Sequence, residues 1–223
     1  AHLNDIFKDS LTLDDYRSSG YINRRIKATI ADPGWRLLAG YLSQTYLAAL
    51  ADTRVAHIVE RLNMLHGVPS HVTFARLINI EPLQTQNAVL LGNARGNPWV
   101  SLFEERLNFQ YRFDDAARLS QFVNTAPRAG EAREYRGSWG REGYCRIAAL
   151  PNLSGKGNVL IVSGTEMASA EAGGEIIGNE YWISKIAREC PSGSPYFEAF
   201  FKTVVFANTS PKFELIAARC GGR

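Results

Sequence analysis

The chain has 223 residues, 45% hydrophobic and 21% charged, which excludes a disordered, collagen-like or cysteine-stapled chain. Its 25 Lys and Arg against 22 Asp and Glu leave a net charge of +3, too near balance for a basic nucleic-acid-binding domain. A chain of this length buries roughly 70% of the surface its unfolded form exposes, enough for a hydrophobic core without metals or disulfides.

The first third reads as helical. Asp14 and Asp15 offer an N-cap and an acidic first turn to a helix running to Arg24, Arg25 and Ile26. Arg17, Arg24, Arg25 and Lys27 make the one basic cluster, but Asp14, Asp15 and Asp32 dilute it, so it reads as a solvated face. Pro33-Gly34 breaks this helix. From Trp35 to Ala51, the residues Leu37, Leu38, Tyr41, Leu42, Tyr46, Leu47 and Leu50 recur at spacings of three and four, predicting one buried helical face. Asp52-Thr53 caps a further helix, with Val55, Ile58, Val59, Leu62 and Leu65 as its stripe and Gly67 as its stop.

The texture then changes. His71 to Leu77 reads as a short β-like run, and Asn87 to Leu91 as a buried central strand of an α/β sheet. Pro98 to Arg106 suits a short helix, and Leu107 to Phe113 alternates with the period of a strand. Residues 114–142 are polar and glycine-rich, predicting exposed loops on a hairpin with Gln121-Phe122-Val123 as the only strand candidate. Tyr144 to Leu150 and Asn158 to Val162 flank a short, turn-rich segment, which predicts an antiparallel hairpin. Helices from Glu166 to Ile177 and from Glu180 to Arg188 follow. A second hairpin joins Phe200 to Ala207 and Lys212 to Ala218 around Asn208-Thr209-Ser210-Pro211.

The fold class these elements predict is a single α/β domain over residues 1–223. Its sheet is mixed and mostly central-parallel, with antiparallel hairpins and helices on both faces in a Rossmann-like three-layer arrangement. A two-lobed arrangement like that of periplasmic binding proteins is the alternative. Cys145, Cys190 and Cys220 are odd in number and lack CxxC spacing. Cys145, in an apolar run, reads as a buried thiol, and one disulfide is left open. His2, His57, His66 and His71 lack zinc-site spacing, so no metal and no cofactor is expected. No apolar stretch reaches the roughly 18 residues of a membrane span. Neither a nucleic acid nor a membrane segment is therefore expected of this chain, and its compartment is left open.

Two loops carry the candidate site. Gly92, Asn93, Arg95, Gly96, Asn97 and Trp99 follow the buried strand, with Asn97 suited to an N-cap and Pro98 to the first helical position. Glycines let backbone approach a ligand, a helix start offers N–H groups to an anion, and Arg95 adds charge. The loop is neither a Walker A motif nor GxGxxG. Ser163, Gly164, Thr165 and Glu166 form the second loop, ahead of a helix whose small residues allow close packing on the sheet. Both loops follow strand carboxyl ends, where open α/β sheets collect ligands, so one shared crevice is predicted. A tight turn and a closely packed helix would explain the same residues without a ligand. Ser163 lacks the first glycine of a GxSxG elbow. Glu104 and Glu105, and Glu171 with Glu175, read as helical surface carboxylates, and Trp99 as a helix anchor before a stacking platform.

Asn87-Ala88-Val89-Leu90-Leu91-Gly92, Asn97-Pro98-Trp99-Val100, Leu102-Phe103-Glu104 and Leu107-Asn108-Phe109 together resemble the signature of a bacterial family of regulator-associated domains. Leu150 to Gly155, Gly157 to Ile161, Gly164 to Ala172 and Leu13-Asp14-Asp15-Tyr16 extend the resemblance over most of residues 11–218. In that family an α/β domain follows a winged-helix DNA-binding region, in some members with a membrane segment between. The resemblance implies a sensor or effector module, a fragment of a longer regulator that either lacks the family's first strand or starts just after it. It brings no established ligand or catalysis. Ser169-Ala170 stands where the family pattern has a second Gly-Thr pair, which removes that pair from any ligand role here. The function expected is ligand sensing, with a small anionic molecule between the Gly92–Trp99 and Gly164–Ser169 loops. The alternatives are a hydrolase or transferase in the same crevice, and an interaction module whose Tyr196-Phe197 and Phe200-Phe201 runs pair subunits in a homodimer.

Overall fold

The computed structural model describes residues 12–18, 20–45, 48–138, 140–190, 194–204 and 212–221. Helices come first: α1 (Leu13–Arg17), α2 (Tyr21–Thr29), α3 (Pro33–Gln44) and α4 (Leu50–Leu65). Thr12, rather than Asp14 or Asp15, caps α1. Its Oγ1 accepts from the Asp15 N–H at 3.1 Å, while the Asp15 carboxylate accepts from the Thr12 N–H at 3.0 Å. The helix expected to reach Ile26 breaks at Gly20, whose φ of +70° is the left-handed conformation glycine adopts without penalty. Arg17, Arg24 and Lys27 are exposed, and Arg25 pairs with Asp15 at 3.3 Å.

Asp32 caps α3 through the Trp35 N–H at 2.9 Å, with Pro33 at the first helical position. The single helix expected from Trp35 to Ala51 is two: α3 ends at Gln44 and α4 starts at Leu50, ahead of Asp52-Thr53. Tyr46 and Leu47 lie outside the described residues. The predicted apolar face is also only partly buried. Ala39 packs on Ile26 of α2, whereas Leu37, Leu38 and Tyr41 face solvent. The small Ala39 sets the contact, and the larger side chains lie around the rest of the helix.

After α4, the predicted β-like run from His71 to Leu77 forms no strand: residues 71–74 carry no regular element and a 3-10 turn follows at Ala75–Leu77. Then come α5 (Pro82–Thr85), β1 (Ala88–Leu91), a 3-10 turn at Pro98–Val100, α6 (Ser101–Glu104), β2 (Phe109–Asp114), β3 (Leu119–Asn124), β4 (Glu134–Arg136), β5 (Glu142–Pro151) and β6 (Asn158–Gly164). The chain continues through α7 (Met167–Ile177), α8 (Glu180–Glu189), β7 (Phe197–Val204) and β8 (Lys212–Cys220). The turn predicted at Asn208 to Pro211 lies outside the described residues.

Five strands form a mixed sheet in the order β1-β6-β5-β7-β8, and β2-β3-β4 form a separate antiparallel sheet. The main sheet is not mostly parallel: among the described residues β1 with β6 is its only parallel pair. The reason lies in the connections. Residues 152–157 are too short for a crossover, so β5 and β6 pair antiparallel, and α7 with α8 returns the chain to the far side of β5. Within residues 114–142 the predicted strand at Gln121 to Val123 is part of β3, and β4 is a strand where loops were expected.

Nor are the two faces alike. α7 and α8 cover one face, meeting Cys145 and Ile147 of β5 and Ala199 and Phe201 of β7. A Cβ at Gly173 would come 2.4 Å from Val162 Cγ1, and one at Gly174 would come 2.9 Å from Val55 Cγ2. The glycine pair thus lets α7 lie close to the sheet on one side and to α4 on the other. The opposite face carries the second sheet and the short helical turns in place of the expected helices. Phe109 stacks on Phe200 with ring centroids 4.2 Å apart, and Phe122, Tyr135 and Tyr144 close around the same ring. Beside them Leu90, Trp99, Val100, Phe103, Leu150 and Ile161 form a second apolar cluster. Cys190 and Cys220 form a disulfide between the end of α8 and the end of β8, and Cys145 is a free, buried thiol. No helix among the described residues is long and apolar enough to cross a membrane.

Candidate functional site

The parallel pairing of β1 with β6 brings the two predicted loops together, since Leu91 lies opposite Val162. Gly92 turns the chain away at a φ of +93°, and its N–H still donates to Val162 O at 2.9 Å. Asn93 then reaches across: its Nδ2 donates to Gly164 O at 2.9 Å, and its Oδ1 accepts from the N–H groups of Arg95 and Gly96. Asn97 Nδ2 donates to Leu91 O at 3.1 Å, and its Oδ1 accepts from the Trp99 N–H. Trp99 is buried, its Nε1 donating to Ala75 O at 2.8 Å. It anchors the turn and presents no face to a ligand.

The second loop is sealed in the same way. Ser163 is fully buried. Its hydroxyl donates to Gly92 O at 2.9 Å and accepts from Arg146 at 3.3 Å. Thr165 continues the ladder to β5, its N–H donating to Tyr144 O and its Oγ1 accepting from the Tyr144 N–H, both at 3.0 Å. Ser169 Oγ accepts from the Glu166 N–H at 3.0 Å and donates back to Glu166 O at 2.9 Å. Glu166, half-buried at the start of α7, receives the Gly140 N–H. Burial raises its carboxyl above the usual range against that hydrogen bond. A Cβ at Gly137 would fall 2.7 Å from Thr165 Oγ1, so the strand segment around Gly137 lies directly over this helix start. Gly164 is required for closeness: a Cβ there would meet Ala170 N at 2.4 Å.

The loops therefore meet, but they spend their polar groups on each other. Asn93, Asn97, Ser163, Thr165 and Ser169 fasten the ends of the strands, and a negative carboxylate already occupies the α7 terminus. Of the predicted loop residues, Arg95 reaches the wall of a depression. Its guanidinium lies 3.9 Å from the centroid of the Phe113 ring. It helps to line an open depression of about 410 Å³ with Pro98, Ser101, Tyr111, Arg112 and Asp115. Tyr111, mostly buried, shares a hydrogen bond with Ser120 at 2.9 Å. Burial raises its phenol pKa, partly offset by that bond and by Arg95.

Beneath this floor lies a charged cluster that the surface reading of Glu104 misses. Arg146, fully buried, holds both oxygens of Glu104, Nη1 to Oε2 at 2.9 Å and Nη2 to Oε1 at 2.8 Å. Nη1 also donates to Phe109 O at 2.6 Å. Glu104 Oε2 takes the Tyr111 N–H as well, and Glu198 takes the N–H groups of Asn108 and Phe109. Burial raises the Glu198 carboxyl pKa in spite of Arg146 and these two donors. The cluster ties β2, and so the wall bearing Tyr111 and Phe113, to the main sheet. A signal for it exists in the sequence: Val100, Phe103, Glu104 and Leu107 fall at i, i+3, i+4 and i+7, and all four are buried. His57, His66 and His71 are exposed on α4 and the segment after it, and His2 lies outside the described residues. Among the described residues no group of three or more His, Cys, Asp or Glu is arranged to hold a metal ion.

Comparison with protein-family models, with curated proteins and with solved structures finds no match to this chain.

Proposed function

We propose that this chain is a ligand-binding module of a bacterial regulator, and that it holds a small molecule with an anionic group and a flat or apolar body in the depression over Arg95. The observation that carries this reading is the Arg95–Phe113 stack in the wall of that depression. A guanidinium in the wall of a depression is suited to recognise a carboxylate or phosphate, and Phe113, Tyr111 and Pro98 supply apolar contact. The resemblance of residues 87–109 and 150–172 to regulator-associated domains supports a sensory role, with DNA binding left to a segment outside this chain. A hydrolase using Ser163 is disfavoured, because the hydroxyl is buried beneath Arg146 and Gly92.

Thermal unfolding of the whole chain against a panel of carboxylates, sugar phosphates and nucleotides tests the reading. A ligand present at 100 times its dissociation constant stabilises by about 2.7 kcal/mol, or roughly 5–10 °C for a chain of this size. The expected result is a saturable shift that Arg95→Ala and Phe113→Ala remove and Asn97→Ala leaves in place on the destabilised background. An equal shift in Arg95→Ala refutes the assignment.

A further inference from the structure

Two charges of opposite sign border the depression over Arg95, and they do not meet. Tyr111 and Phe113 line it with the period of two that a strand imposes, and Asp115, the next step of that period, lines it as well. Arg95 lies over the Phe113 ring. Asp115, exposed in the turn after β2, makes no hydrogen bond or ion pair among the described residues, with Arg95 or with any other. The turn does not depend on it. Its neighbour Asp114 holds the turn instead, Oδ1 accepting from the N–H groups of Ala116 and Ala117 at 3.0 and 2.9 Å. The Tyr111 phenol senses both charges. Burial is the largest cause of its raised pKa and the Ser120 bond opposes it; beyond these, Arg95 lowers it and Asp115 raises it. The other arginine of the lining, Arg112, turns its guanidinium to Tyr111 O at 3.0 Å and Gln110 Oε1 at 2.7 Å.

We propose that the ligand of this depression is a zwitterion of the α-amino-acid class with an apolar side chain, its carboxylate toward Arg95 and its ammonium toward Asp115; the inference rests on the ligand-binding reading above. Length agrees. Arg95 stacks on residue 113, and Asp115 stands two strand steps further on, roughly 7 Å. An α-amino acid places its two charges about 3 Å apart, and a charge-assisted hydrogen bond of about 2.8 Å at each end lets it bridge such a gap. Sign agrees too. A phosphate ester or a dicarboxylate would bring a second negative charge towards Asp115, a repulsion that an ammonium group converts into attraction. The volume of about 410 Å³ lies near the lower end of the roughly 300–1,000 Å³ found for ligand sites, which suits an amino acid better than a nucleotide. Pro98, Tyr111 and Phe113 receive the apolar side chain.

Isothermal titration of the full 223-residue chain at neutral pH tests the inference. The probes are L-phenylalanine, L-leucine, 3-phenylpropionate, which lacks the ammonium, and phenylalanine methyl ester, which lacks the carboxylate. Phenylalanine should bind at least about 10-fold more tightly than either of its analogues, since each forfeits a charge-assisted hydrogen bond. Asp115→Asn, at an exposed turn position, should leave the circular dichroism spectrum and unfolding midpoint unchanged. It should abolish the preference for phenylalanine over 3-phenylpropionate without weakening 3-phenylpropionate itself. Arg95→Ala should weaken both acids. Equal affinity for phenylalanine and 3-phenylpropionate overturns the inference while leaving an anion site in place, as does a preference that survives Asp115→Asn. Sugar phosphates that bind through Arg95, with no response to phenylalanine or leucine, likewise overturn it and keep the ligand-binding reading. Acids that bind Arg95→Ala as tightly as the wild-type chain overturn both.

Discussion

Glu104→Gln is the substitution that most directly probes how the wall of the depression is held. The carboxylate accepts three hydrogen bonds: the Tyr111 N–H and Arg146 Nη1 at Oε2, and Arg146 Nη2 at Oε1. A glutamine amide keeps its oxygen most usefully at the Oε2 position, where it serves two donors. Its NH2 then faces Arg146 Nη2 across a gap of 2.8 Å, donor against donor, with the guanidinium fully buried. The change loses one charge-assisted hydrogen bond, worth roughly 1.5–3 kcal/mol, and deprives Arg146 of its closest counter-charge. Breaking a buried pair in this way costs about 3–5 kcal/mol, or roughly 6–20 °C in unfolding midpoint for a chain of this size. Adding Arg146→Met removes the stranded cation, so the double variant should recover at least about 2 kcal/mol of the loss expected from adding the two single changes. Urea unfolding followed by circular dichroism measures all three variants. A Glu104→Gln cost below about 1 kcal/mol, or strict additivity with Arg146→Met, would refute the view that this pair holds β2 to the main sheet.

The other predictions concern packing, thiols and pH. Gly173→Ala should destabilise by about 2–3 kcal/mol in urea titration, because its methyl group would fall 2.4 Å from Val162 Cγ1 and 2.9 Å from Cys145 Sγ; a neutral effect would mean that α7 shifts freely on the sheet. Burial pushes the Cys145 thiol up to about 12, so it should resist alkylation at neutral pH until denaturant is added, as read by mass spectrometry. The Cys190–Cys220 disulfide spans a separation of 30 residues, and its reduction should cost about 3–4 kcal/mol in unfolding experiments with and without dithiothreitol. Glu131 is held down to about 2: burial works to raise it, but Arg219, the Arg128 N–H and Asn124 outweigh burial. Folding thus lowers its pKa, so its contribution of roughly 2–3 kcal/mol is present above pH 4.5 and lost as pH falls towards 2. Glu198, raised by burial, has the opposite dependence, so the test is the difference between wild type and Glu131→Gln. An acid limb unchanged by that substitution would contradict the assignment.

Secondary structure was legible where a local rule sufficed. Turn-rich residues 151–157 dictate the β5–β6 hairpin, and Asn97-Pro98 dictates the turn that follows β1. Strand direction across the whole sheet was not legible. The apolar run Asn87 to Leu91, which reads as a central strand, proves to be an edge strand: its Leu90 is covered by Trp99 and neighbouring apolar residues, with a strand on one side only. The candidate site shows the same division. Proximity of the two loops follows from strand ends and was foreseen. That Asn93 and Asn97 would turn inward onto Gly164 and Leu91 depends on hydrogen-bond partners far along the chain. Glycine, asparagine and serine at strand ends suit a ligand and a self-sealed junction alike, and only geometry separates the two.

Two kinds of residue do carry long-range information in their local surroundings. A charge inside an apolar strand run must find a buried counter-charge, because its desolvation would otherwise cost several kcal/mol. Arg146 lies between Cys145 and Ile147, and Glu198 between Phe197 and Ala199, so each announces a partner across a sheet face. Glu104 answers from the inward stripe of a helical turn. Apolar periodicity, in contrast, reports that a helix face shuns water without saying what covers it. Val55 on α4 meets α7 within the same chain, whereas Leu37 and Tyr41 on α3, at the same kind of spacing, stay exposed. The same signal thus has two structural outcomes, burial against a neighbouring helix or exposure to water, and periodicity alone does not separate them.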